Sequence, residues 1–192
     1  MNDIILLKNE IEYKIYFNNY IVNNIHSFLE DINTAHRRFD IVFPNRSPTW
    51  HYRYYNIFSL TFGSLHFYKL FHQLKYIIKE HNKIEEPLWF MAWMNYHKPH
   101  ELLDWHNHSQ SKFHGFISFD PKNTKTLFQN YEIDNEPGKI YIGNSSNYHK
   151  VVALEPYNGL RTTLAFDVYD YKHYQNAVEL YKDDLNISVF PI

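Results

Sequence analysis

The stretch Phe113-His-Gly-Phe-Ile-Ser-Phe119-Asp-Pro-Lys-Asn-Thr-Lys-Thr126-Leu-Phe-Gln129 sets the pattern for the second half of the chain. An aromatic and β-branched run, 113–119, stops at a turn built from Asp, Pro, Lys and Asn, and a second run follows at 126–129. Residues of this kind fill a pleated surface, while the Pro and Asn between them break a strand ladder and supply turn geometry. The same alternation extends in both directions. Runs at 88–96 and 102–108 precede the stretch, and runs at 139–142, 151–154 and 161–169 follow it. Lys98-Pro, Asn135-Glu-Pro-Gly and Pro156-Tyr-Asn-Gly divide them. Six or seven short strands at regular spacing predict a sandwich or jelly roll and argue against βαβ units.

Before residue 87 the periodicity changes. Residues 20–38 carry Ile21, Ile25, Phe28, Leu29 and Ile32 at three- and four-residue steps, which predicts a helix. Residues 64–82 repeat the pattern with Leu65, Tyr68, Leu70, Phe71, Leu74, Tyr76 and Ile77, and Ser64 stands at the N-cap position after Gly63. An early strand is expected at 11–17, a loop at 43–48 and a last helix at 172–183. With no repeat or Gly/Ser linker in view, residues 1–192 read as one domain. A helical and mixed support region at 1–86 leads into a mainly β jelly-roll core at 87–170, and a C-terminal helix and tail fill 171–192.

Composition removes several kinds of chemistry. The 192 residues include no cysteine and 13 histidines. Disulfide frameworks, thiolate metal sites and a cysteine nucleophile are therefore excluded, and any metal must be held by nitrogen or oxygen. Net charge is −2, with 19 Lys+Arg against 21 Asp+Glu. Such a balance gives no broad footprint for nucleic acid. The N-terminus lacks a basic n-region, and no run approaches the ~18–20 apolar residues of a membrane span. These features predict a soluble cytoplasmic protein.

Six of the histidines, at 26, 36, 66, 72, 81 and 173, lie on helix-like segments and need no special role. The run Asp104-Trp-His-Asn-His108 is different. On a strand, alternate side chains share a face, so His106 and His108 project together with Asp104 beside them. Two imidazoles so placed can grip one metal ion. Further on, His149 opens a strand after the loop Asn144-Ser-Ser-Asn147, and Arg161 begins Arg-Thr-Thr-Leu-Ala-Phe-Asp-Val168 with Thr163 on its face. An inward arginine needs an anionic partner, because unpaired buried charge is costly. A ligand carboxylate, bound bidentately, fits that requirement. A protein acid, Asp167 or Glu155, fits it as well.

Taken in order, these elements resemble the 2-oxoglutarate- and Fe(II)-dependent oxygenase superfamily over roughly residues 88–169. The segments that carry the resemblance are Trp93-Met-Asn95, His106-Asn-His108, Phe113-His-Gly-Phe-Ile-Ser-Phe119, Pro137-Gly-Lys-Ile-Tyr-Ile142, His149 and Arg161-Thr-Thr163-Leu-Ala-Phe166. The superfamily shows a strand with His-x-Asp/Glu, a Gly-containing strand, a Pro-Gly turn, a distal His, and Arg-x-Ser/Thr shortly after. The resemblance implies a double-stranded β-helix, the cupin-like jelly roll. It also implies Fe(II) held by His106, His108 and His149. 2-Oxoglutarate would be the co-substrate, with its distal carboxylate on Arg161 and Thr163, and Tyr141 and Asn95 would be further cofactor contacts. The implied reaction oxidises a small-molecule or peptide substrate while 2-oxoglutarate becomes succinate. One position departs from the pattern, since His108 stands where the superfamily places a carboxylate. Three ligand sets accommodate that departure: three histidines binding the iron, Asp104 supplying the carboxylate, or two histidines binding with a position left open; the first is preferred. Two other classes share the core: a cupin-type three-His metalloenzyme that does not use 2-oxoglutarate, and a non-catalytic binding module.

Overall fold

The computed structural model describes residues 3–42, 56–101, 103–180 and 188–192. The loop expected at 43–48 lies outside the described residues. In chain order the elements are β1 (Ile4–Asn9), β2 (Tyr13–Asn18), α1 (Asn19–Asn23), α2 (Ile25–Val42), a 3₁₀ turn (Ile57–Phe62) and α3 (Leu65–Asn82). Then come β3 (Trp89–His97), β4 (Phe113–Asp120), β5 (Thr124–Phe128), β6 (Glu132–Asp134), β7 (Lys139–Asn144), β8 (His149–Ala153), β9 (Arg161–Tyr169), α4 (Tyr171–Leu180) and β10 (Phe190–Pro191). The strands make a seven-stranded sheet in the order β1-β2-β7-β4-β9-β3-β10 and a three-stranded sheet in the order β6-β5-β8. All pairings are antiparallel. The result is a jelly roll with α2 and α3 packed on one face of the large sheet, while Ala177 of α4 packs on the other face against Met91, Trp93 and Ala165.

Strand β9 shows why the residues fall where they do. All nine of its residues are buried, so both of its faces are covered. Leu164, Phe166 and Val168 join Phe90, Ala92 and Met94 of β3 and Ile117 of β4 in the main core, where Phe28, Phe67, Leu70 and Leu74 of the helices meet them. The alternate set, Arg161, Thr163, Ala165 and Asp167, points the other way, toward the small sheet. Apolar side chains on one face and polar ones on the other place a polar recess between the sheets and leave the helices as a hydrophobic backing.

Glycine is required at two close approaches in the large sheet. A Cβ at Gly115 would lie 2.1 Å from the Phe166 ring and 2.5 Å from the Tyr141 carbonyl oxygen, so β4 tolerates no side chain there. Gly138 adopts φ +83° in the turn into β7, beside the Asn18 carbonyl, a conformation that favours glycine.

The second long helix begins where expected: the Ser64 hydroxyl accepts the Phe67 N–H at 3.2 Å. Its buried stripe is Phe67, Leu70, Leu74, Ile77 and Ile78, while Leu65, Tyr68 and Tyr76 face solvent. Two apolar stripes overlap on this helix, and the sheet takes the one containing Phe67. Of the strand expected at 102–108, the described residues 103–108 form none: His106 makes one isolated bridge with His149, and the chain around it is irregular. The large sheet is also not confined to 87–170, because β1 and β2 extend it at one edge and β10 at the other. The last helix spans Tyr171–Leu180.

Candidate metal centre

His106 and His149 are locked together by two backbone hydrogen bonds, His106 N–H to the His149 carbonyl at 3.0 Å and the reverse at 2.9 Å. The His108 N–H bonds to the Ser145 carbonyl at 2.8 Å, and Ser111 N–H returns to the His108 carbonyl at 2.9 Å. The irregular chain before β4 is thus pinned along the start of β8, and the three imidazoles converge. One ring nitrogen from each of His106, His108 and His149 lies within 4.8 Å of the others.

Hydrogen bonding decides which nitrogen faces inward. The Nδ1 of His106 lies 2.7 Å from the Asp104 carbonyl oxygen, and that of His149 lies 3.1 Å from the Asn147 carbonyl. A carbonyl can only accept, so each Nδ1 carries the proton and each Nε2 keeps its lone pair. The Nδ1 of His108 points instead at Asp167 Oδ2, 3.2 Å away. Burial, then the neighbouring imidazoles, push His149 down to about 2, and burial also lowers His106 against the opposing Asp104 carbonyl. Neutral rings with oriented lone pairs are the form a metal requires, and an outer acceptor on Nδ1 is the usual companion of a ligating histidine.

Asp104 contributes its carbonyl and not its carboxylate. Its side chain is exposed and accepts the Trp105 N–H at 2.8 Å. Strand alternation would have put the Asp104 carboxyl beside the imidazoles, but the irregular backbone removes that alternation. Asp104 belongs to neither ligand cluster found among the described residues.

The second cluster contains two residues that the sequence did not single out as site residues. His108, His114 and Asp167 also bring ligand atoms within 4.8 Å. Asp167 holds His114 Nδ1 at 2.9 Å on one oxygen and His108 Nδ1 on the other, and the two rings stack with centroids 3.6 Å apart at 11°. Burial raises the Asp167 carboxyl, but the two imidazoles outweigh it and hold it well below the usual carboxylate range. Burial and the nearby His108 push His114 down to about 4. The carboxylate is therefore charged and the His114 ring is neutral. Asp167 and His114 are direct cross-strand partners on β9 and β4, a pairing visible only once the strand register is known.

Arg161 starts β9 at the other end of the same face and is buried. Its Nη1 donates to His97 Nδ1 at 2.8 Å, and His97 is its cross-strand neighbour on β3. Burial, then the guanidinium, pushes His97 down to about 3, so the ring accepts as the neutral form. That assignment puts the proton on His97 Nε2, which has no partner, and Arg161 Nε also lacks one. Neither acid weighed from the sequence reaches Arg161. Asp167 binds the two histidines, and Glu155 accepts from Asn123 at 2.7 Å. Among the described residues no carboxylate forms an ion pair with Arg161.

Between Arg161 and the imidazoles lies a narrow recess of about 30 Å³, lined by Thr163, Asn95, Trp93 and Phe116 as well as by Arg161 and the three histidines. Asn95 Oδ1 accepts the Trp93 indole N–H at 3.1 Å. Tyr141 does not reach this wall. It stacks behind Phe116 at 5.1 Å, and its hydroxyl meets that of Tyr131 at 3.0 Å. A wider cleft of about 670 Å³, with Trp105, Phe128, Tyr131 and Tyr148 in its walls, opens outside. Phe128 packs against the His149 ring at 5.4 Å, so the cleft adjoins the imidazole cluster.

No protein-family model matches this chain, and no curated protein does. Solved structures do. The non-heme alpha-ketoglutarate-dependent carbocyclase SnoK from nogalamycin biosynthesis superposes on 83 % of this chain and 79 % of its own, with a TM-score of 0.58 and 7 % identity. HygX from Streptomyces hygroscopicus, with nickel and 2-oxoglutarate bound, covers 83 % of each chain with a TM-score of 0.57 and 12 % identity. Apo HygX gives a TM-score of 0.55 at 10 % identity. At these identities the likeness is one of fold: the chain has the jelly roll on which these 2-oxoglutarate-dependent enzymes are built.

Proposed function

We propose that the chain is an Fe(II)- and 2-oxoglutarate-dependent oxygenase that turns 2-oxoglutarate into succinate while hydroxylating, or otherwise oxidising, a small-molecule or peptide substrate. The observation that carries the reading is Arg161. It is a buried guanidinium without a carboxylate partner, in the same recess as three convergent imidazoles. A buried cation of this kind calls for an anion. A short dicarboxylate reaching from Arg161 to the imidazoles satisfies both ends of the recess.

The donor set fits the metal. His106, His108 and His149 would hold Fe(II) through three neutral nitrogens, which suits imidazole-binding divalent iron and leaves positions open for a co-substrate. Iron held there would supply the oxygen chemistry, with 2-oxoglutarate as its co-substrate. The chain's own groups do the rest. Arg161 Nε–H binds the distal carboxylate with the Thr163 hydroxyl beside it, and His97 fixes the guanidinium from behind. Trp93, Phe116 and Ala165 keep the recess narrow and exclude water. Asn95, tied to Trp93, offers an amide N–H to the bound acid. The prime substrate enters by the wider cleft beside His149.

A three-histidine metalloenzyme that does not use 2-oxoglutarate has the same donor set. That reading leaves the Arg161 and His97 donors without an acceptor, so we place it second. A cytoplasmic enzyme with neither nucleic acid nor membrane as a partner is part of the same proposal. No helix among the described residues is long and apolar enough to cross a membrane.

Thermal unfolding with Mn(II) in place of iron tests the reading. 2-Oxoglutarate at 100-fold its Kd contributes about 2.7 kcal/mol, which raises Tm by roughly 5–10 °C for a chain of this size. The rise should require Mn(II). A 2-oxoglutarate effect that is absent, or unaffected by the metal, would count against it.

A further inference from the structure

Asp167 is a buried acid whose hydrogen-bond partners are both imidazoles. It accepts from His108 Nδ1 at 3.2 Å and from His114 Nδ1 at 2.9 Å, and among the described residues no lysine or arginine pairs with it. A buried carboxylate with imidazole donors alone has no cationic partner of its own, and an acid on the Nδ1 of a histidine is the usual outer partner of a metal-binding ring. The same His108 ring offers a ligand nitrogen within 4.8 Å of those of His106 and His149. The three-imidazole cluster has the opposite deficiency. Its ligands are all neutral, so a divalent ion there keeps its full charge in a buried recess. The two imbalances adjoin through one ring.

We propose that Asp167, clamped by His114, is the anionic partner of the metal centre, delivering through the His108 imidazole the negative charge that a carboxylate at position 108 would have supplied directly. The inference rests on the metal-binding reading above. In this arrangement the proton stays on His108 Nδ1, shared toward Asp167 Oδ2, and the ring becomes a stronger donor at Nε2. His114 holds the second carboxylate oxygen and stacks flat on His108, fixing both the carboxylate and the ring plane. Trp93 flanks the pair, with its ring 5.8 Å from that of His108 and 6.3 Å from that of His114. Asp167 is thus a positioning residue that acts through His108, and it also fixes the tautomer. An amide in its place can turn its NH₂ toward His108 Nδ1 and drive the proton to Nε2, where it blocks the metal.

Co(II) titration of the whole chain, followed by its visible ligand-field bands, is the test. Asp167→Asn should weaken Co(II) binding roughly 10- to 100-fold, the range for lost outer partners of metal-binding histidines. The metal-free melting temperature should stay within a few degrees. Asp167→Glu, which is bulkier but charged, should recover most of the affinity. A purely structural role predicts the reverse order, with the isosteric Asn tolerated better than Glu. Wild-type protein that binds no Co(II) overturns the metal reading and this inference with it. Wild-type binding together with Asp167→Asn binding within twofold overturns this inference alone. A measurement on the wild type needs no variant: in Zn(II)-loaded, ¹⁵N-histidine-labelled protein, His108 should show a protected, strongly downfield Nδ1–H and a metal-bound Nε2. A His108 bound through Nδ1, or lacking that proton, refutes the proposal.

Discussion

Arg161→Met should separate ligand binding from stability, with the two effects opposite in sign. Burial lowers the Arg161 guanidinium from its ordinary 12.5 to about 10. At 1.36 kcal/mol per pKa unit, this corresponds to about 3 kcal/mol of unfavourable charge burial in the ligand-free protein. Met keeps the apolar stem and removes that cost. It also removes the bond to His97 and leaves the His97 Nδ1 without a donor, at about 1–3 kcal/mol. The balance is roughly 0–2 kcal/mol in favour of the variant, a Tm unchanged or raised by up to about 6 °C. Binding should suffer. Losing one partner of a buried charge pair costs about 2–5 kcal/mol, roughly a 30- to 4000-fold loss in 2-oxoglutarate affinity. Differential scanning fluorimetry without ligand reads the first effect, and isothermal titration of the Mn(II) form with 2-oxoglutarate reads the second. A variant that melts more than about 5 °C lower yet binds 2-oxoglutarate like the wild type would make Arg161 a structural residue and refute the reasoning.

Three further outcomes follow from the same geometry. His106→Ala and His149→Ala should each leave well under a tenth of an equivalent of iron bound after gel filtration, measured by colorimetric iron assay; so should His108→Ala, and iron retained by that variant would remove His108 from the ligand set. Gly115→Ala places a methyl against the Phe166 ring and the Tyr141 carbonyl, so urea unfolding should show a loss of about 1–3 kcal/mol or more; an unchanged midpoint would mean that β4 can shift. His81 and His97, held neutral in the folded chain at about 4 and about 3, take up protons in the unfolded chain near 6.5. Between about pH 6.5 and 4 the unfolded state therefore binds more protons, and stability falls as pH falls, by up to about 1.4 kcal/mol per pH unit for each ring. Urea midpoints at pH 7.5, 6 and 5 check this, and His81→Phe should flatten the slope.

How far the sequence alone reaches is set by whether local spacing or long-range pairing places a residue. Strand β9 matches its expected bounds, 161–169, because an unbroken apolar and β-branched run can be read without its neighbours. The Ser64 cap is equally local. The segment 102–108 is not: its two histidines do converge, but through the backbone pairing of His106 with His149 rather than through strand alternation. That difference is why Asp104 turns outward. Asp167 could be weighed as a partner for Arg161 from the sequence, yet its true partners, His108 and His114, lie 59 and 53 residues away and depend on the register of β4 against β9. The edge strands β1 and β10 escaped notice for the opposite reason. β1 is largely exposed and β10 has two residues, so neither carries a strong pattern.

The central claim is that one recess holds both a three-histidine iron site and a seat for 2-oxoglutarate. The most direct measurement is an anaerobic titration of the protein with Fe(II) and 2-oxoglutarate, followed by visible absorption. The account predicts a weak charge-transfer band of the chelated keto acid that saturates at one equivalent and disappears in His149→Ala. Saturating iron and 2-oxoglutarate with no such band would contradict it.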